Sequence, residues 1–125
     1  MTQGLAFLLS TLIEGAVAAL FGAWLCRRFD LSRFSASVRT CAAAVVATGA
    51  THPAVWMGFS RLLGWTGTWW GAAALGEAGV ILVETLFYAA ALRGHWRWSF
   101  VLSAAANLAS FAAGIALTSW LPRQS

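Results

Sequence analysis

The chain has 125 residues, 60% hydrophobic and 10% charged, with 8 Trp and no Lys. Eight Arg against four acidic residues leave a formal net charge of +4. Soluble domains carry roughly 45–50% apolar and about 25% charged residues, so these proportions exclude a disordered chain and argue against a soluble globular one. The Arg residues form no cluster on a polar surface, and nucleic acid is not an expected partner.

A bilayer-crossing helix needs roughly 20 predominantly apolar residues. Four stretches qualify, at 5–25, 38–59, 70–92 and 99–121. The first has Glu14 at its middle, with Thr11 and Ala18 on the same face and Gly15 and Gly22 permitting close approach. It has no basic lead-in before Arg27, so it is expected to be a span and not a cleaved signal. Arg27, Arg28, Arg33 and Arg39 surround the first connection, together with Asp30. Cys26 and Cys41 flank it and are expected as free thiols in a reducing compartment.

The second stretch holds Thr48, Thr51, His52 and Pro53. Pro53 has no amide donor and its ring clashes with the carbonyl of Gly49, so a bend is expected there. The freed carbonyl must then be satisfied by Thr48 or Thr51, by water or by a ligand. His52 is a candidate ligand or proton carrier. Arg61 and Trp65, Trp69 and Trp70 follow, the three Trp forming an expected interfacial belt.

The third stretch places Ala73, Glu77, Val80, Glu84 and Tyr88 on one stripe. Glu77 and Glu84 share a face, about 10 Å apart along the axis. Gly71, Gly76 and Gly79 allow packing or dimerisation. Arg93, His95, Trp96, Arg97 and Trp98 make the third connection and a second belt, with His95 in the headgroup zone. The fourth stretch draws a small, polar stripe through Ser103, Asn107, Ser110 and Gly114.

Six Arg lie around the first and third connections, against Arg61 and Arg123 on the other side. Cytoplasmic loops carry the excess of positive charge. The expected fold is therefore all-α: one integral membrane four-helix bundle over residues 1–125, with both termini on the outer side.

Three of the four acidic residues, Glu14, Glu77 and Glu84, fall inside spans. An ionised group at a helix centre costs about 3 kcal/mol on insertion scales. Each must be protonated, paired or exposed to a water-filled interior. From the outside inward the expected order is Glu77 and His52, then Glu14, then Glu84 and Asn107, a polar ladder down the bundle. The plainer alternative is interhelical glue, with Glu14 bonding Asn107.

The combination of HPAVW at 52–56, Glu77-x6-Glu84, and Asn107-x2-Ser110-x3-Gly114 resembles a group of small uncharacterised bacterial four-span membrane proteins. That resemblance covers the last three spans. It implies the fold and a multi-pass place in the bacterial cytoplasmic (inner) membrane, and no activity. Length and Glu14 are also similar to the small multidrug resistance transporters. However, Ala54-Val55-Trp56-x-Gly58 falls in the second span here, and that family has no counterpart of the Glu77–Glu84 pair, so the chain is not placed among them.

The residues point to a transporter, channel or binding protein for a proton or metal cation. Glu14, His52, Glu77 and Glu84 would be the ion-binding groups, supported by Thr48, Thr51, Tyr88, Ser103, Asn107 and Ser110. No cofactor is required; a divalent metal on His52, Glu77 and Glu14 is one option. The other reading is an accessory or anchor subunit, with the bilayer and a homodimer or larger complex as partners. No nucleophile constellation is present, and an enzyme is not expected.

Overall fold

The computed structural model describes residues 3–29 and 33–120. Asp30 and Arg123, and the side chain of Cys26, lie outside the described residues, as does the last residue of the fourth expected stretch. Four helices follow in chain order: α1 (Gln3–Phe29), α2 (Arg33–Thr66), α3 (Trp69–Ala91) and α4 (Trp96–Trp120). Each contains its expected stretch to within a few residues, except that α2 overruns at both ends.

Three helices, α1, α3 and α4, are long and apolar enough to cross a membrane. The exception is α2, whose apolar run is diluted by Arg39, three Thr, His52 and Pro53. Of these, Thr40, Thr48 and Thr51 are buried against neighbouring helices. Over 34 residues α2 is about 51 Å long. It continues as helix on both sides of Pro53. Gly49 and Pro53 both lie on an exposed face. The nearby Thr51 hydroxyl bonds the carbonyl of Ala47 and leaves that of Gly49 alone.

Short connections force an antiparallel arrangement. Gly67 adopts φ +68° and donates to the Leu63 carbonyl at 2.9 Å, ending α2 in the left-handed conformation glycine tolerates. Thr68 then caps α3 by accepting from the Gly71 amide at 3.0 Å. At the other end Arg93 and Gly94 both take positive φ before α4 begins. α2 packs against α1 and α3, and α4 against α3 and α1, while the diagonal pairs stay apart. The result is a square bundle.

Its polarity is inverted relative to a soluble bundle. Leu12, Leu20, Met57, Leu82 and Leu108 are exposed, whereas Glu14, Glu84, Asn107, Ser103 and Ser110 are buried. The closest approach is between α1 and α2. A Cβ on Gly22 would stand 2.5 Å from Thr40 Oγ1 and 3.1 Å from Ser37 Cα. The Thr40 hydroxyl lies 3.0 Å from the Ala18 carbonyl across this contact. Small residues at helix contacts let backbones meet this way. Gly79, by contrast, faces open space.

One half of the bundle is solid. Ala18, Leu25, Ala44, Tyr88, Leu92 and Leu102 form a single core cluster there. Beside it Trp98 packs edge-on to Trp24, ring centroids 5.1 Å apart, and against Phe21 at 6.1 Å.

Candidate functional site: an acidic cavity between the helices

The other half is hollow. A partly open cavity of about 420 Å³ lies between all four helices. It runs from the end where Trp69 begins α3 down to Glu84, fifteen residues along, or about 22 Å. Glu14, His52, Glu77, Glu84, Thr48, Thr51, Asn107 and Ser110 all line it. The structure thus brings eight of the ten expected polar residues to one space. The remaining two, Tyr88 and Ser103, lie deeper. Ser103 is 3.1 Å from the Ile81 carbonyl, to which it donates from α4 to α3.

Two carboxyls form the floor, and each is held at both oxygens. Ser110 donates to Glu14 Oε1 at 2.9 Å, and Thr48 bonds Glu14 Oε2. Thr51 lies 3.1 Å from Glu84 Oε1, and Asn107 Nδ2 donates to Glu84 Oε2 at 2.5 Å. The expected Glu14–Asn107 bond is not made. Asn107 reaches Glu84 on the adjacent α3, and Ser110, nearly one turn further along α4, reaches Glu14 on α1.

A hydroxyl has one proton, yet Thr48 Oγ1 has two acceptors in range, Glu14 and the Ala44 carbonyl at 2.8 Å. Thr51 has the same choice between Glu84 and the Ala47 carbonyl at 2.9 Å. Ser110 chooses between Glu14 and the Asn107 carbonyl at 3.0 Å. An ionised Glu14 accepts from Thr48. A protonated Glu14 donates to Thr48, whose own proton turns to Ala44. No heavy atom needs to move between the two states.

Nearer the mouth, Glu77 is half-buried and has no hydrogen-bond or ion-pair partner among the described residues. His52 accepts at Nε2 from Trp56 Nε1, at 2.8 Å, which places the ring proton on Nδ1. Its ring also touches Phe7, centroids 5.3 Å apart. Among the described residues no three His, Cys, Asp or Glu side chains are grouped to hold a metal ion. The expected set of His52, Glu77 and Glu14 is therefore not assembled, and the His52 Nε2 lone pair is already engaged by Trp56. Cys41 is a free thiol outside the cavity.

Sequence reading missed the aromatic wall. Trp56, Phe59, Trp69 and Phe111 line the cavity, and Phe59 and Trp69 approach at 6.2 Å. Helical spacing carried the signal: Trp56 and Phe59 follow His52 by four and seven residues, and Phe111 follows Asn107 by four. Trp69, expected in an interfacial belt, also lines the cavity.

One polar atom has no solution. The Tyr88 hydroxyl is fully buried and is the buried side-chain polar atom without a hydrogen bond among the described residues. It sits one turn beyond Glu84, where the cavity gives way to the core cluster.

Comparison with protein-family models, curated proteins and solved structures finds no match for this chain.

Proposed function

We propose that this chain is a small multi-pass membrane protein that takes up and passes on a cation, with protons exchanged at the cavity floor. The observation that carries this reading is the pair of floor carboxyls, Glu14 and Glu84, each flanked by hydroxyls with a second acceptor in reach. Such a site accepts or releases a proton by reversing hydrogen bonds. Buried acids used only to join helices need no such reversibility. Ionisable groups within spans face interiors or water-filled paths when they serve transport, and these line a partly open cavity.

In this reading all four helices cross the bilayer, with Thr40, Thr48 and Thr51 of α2 buried among its neighbours. The solid end collects Arg27, Arg28, Arg39, Arg93 and Arg97. Positive charge favours the cytoplasmic side, so the cavity opens outward from the cytoplasmic membrane and the core cluster around Tyr88 closes the inner side. The membrane potential and anionic headgroups favour the same orientation.

Proton flux in vesicles reconstituted with the purified protein tests this proposal. Glu14→Gln keeps the size and hydrogen-bonding capacity of the side chain but cannot ionise, and it should reduce flux by about tenfold or more. Equal flux in wild type and variant would overturn the reading.

A further inference from the structure

The cavity is larger than a proton or bare ion requires. At about 420 Å³ it falls within the roughly 300–1,000 Å³ range of small-molecule sites. Its sides are apolar, built from Val55, Trp56, Phe59, Trp69, Phe111 and Ile115. Among the described residues its ionisable lining groups are Glu14, His52, Glu77 and Glu84, and no Arg lines it. A space of this size with aromatic walls and carboxyls as its only charged groups is complementary to an organic cation.

The free valence is at Glu77. Glu14 and Glu84 are hydrogen-bonded at both oxygens, while Glu77 has no partner among the described residues and reaches the cavity. A half-buried carboxylate without donors is best satisfied by a group that brings both charge and N–H bonds. An ammonium offers three donors and no acceptor. Phe59 and Trp69 approach at 6.2 Å in a tilted pair and line the cavity together with Trp56, and aromatic rings attract a desolvated cation. A metal ion would need several ligands, and no three are grouped.

We propose that the cavity binds a protonated amine with an apolar body, its ammonium on Glu77 and its body against the Trp56, Phe59, Trp69 and Phe111 wall. This rests on reading the cavity as a cation site and specifies which cation. Proton exchange at Glu14 and Glu84 would then lie directly beneath the bound amine.

Isothermal titration of the purified protein in detergent tests it, using 2-phenylethylammonium and its neutral analogue 2-phenylethanol, each against a detergent blank. The ammonium should bind saturably, and the alcohol about tenfold more weakly or worse. Glu77→Gln should weaken the ammonium about tenfold and leave the alcohol unchanged. Trp69→Leu should weaken both, and it keeps the test open should Glu77→Gln fail to fold. Equal affinity for the two probes would overturn the proposal, as would an ammonium affinity indifferent to Glu77→Gln. Manganese(II) displacing the amine at lower concentration would also overturn it. Because this titration uses no gradient, the two readings fail separately. Flux that depends on Glu14, without amine binding, removes the amine alone. Flux indifferent to Glu14→Gln removes the transport reading whatever the titration shows.

Discussion

The hollow half of the bundle and the solid half are made by the same four helices, yet they satisfy their interiors by opposite means. Around Tyr88, Leu25, Leu92 and Leu102 the space is filled with apolar side chains, and α1 meets α2 through Gly22 and Thr40 with no room for a Cβ. Around Glu14 and Glu84 the helices stand apart over a cavity, and cross-helix hydrogen bonds take the place of packing. The proposed proton exchange belongs to the half where no repacking is needed. In the solid half a shift in one helix meets a close-packed neighbour. In the hollow half the Thr48 and Thr51 hydroxyls each have a second acceptor in reach.

The largest test of this contrast is in the solid half. Gly22→Leu forces a side chain into the Thr40 and Ser37 contact and should cost about 3 kcal/mol, read as a lower thermal midpoint in detergent by circular dichroism. A neutral result would mean that the two helices are free to separate. Asn107→Leu strips Glu84 of its amide donor and frees the Ser103 carbonyl, which Asn107 Nδ2 meets at 3.0 Å. A loss of about 2 kcal/mol is expected, and an unchanged midpoint would show the floor to be loosely held.

Smaller effects separate the halves further. Tyr88→Phe removes a buried hydroxyl with no hydrogen bond among the described residues, so stability should rise by about 1 kcal/mol, read as a higher midpoint. A fall would reveal a partner for it. Glu77→Gln should leave stability within about 0.5 kcal/mol, because no bond is lost. Coupled with a large loss of ammonium affinity, that result would mark Glu77 as a group held for a ligand. A marked destabilisation would instead assign it to the scaffold.

Much of the candidate site was legible from periodicity. Ala73, Glu77, Val80 and Glu84 fall on one stripe of α3, and Asn107, Ser110 and Gly114 on one stripe of α4, and all seven line the cavity. Pairing across helices was not legible. Spacing states which residues share a face but not how that face is turned between two neighbouring helices, and that turn decides whether Asn107 meets Glu14 on α1 or Glu84 on α3. The aromatic wall was overlooked because Trp near a span end reads first as an interfacial anchor.

The sequence by itself determined four helices, their limits to within a few residues at most ends, and an interior more polar than the exterior. Helix periodicity and the cost of burying charge are local and compositional, so one chain suffices to read them. Only the tertiary structure decided that the polar groups surround a cavity confined to one half, that two carboxyls are tied at both oxygens and the third is not, and that His52 answers to Trp56. Those outcomes depend on the axial register and separation of packed helices. Both are set by contacts such as Gly22 on Thr40, which belong to two segments at once.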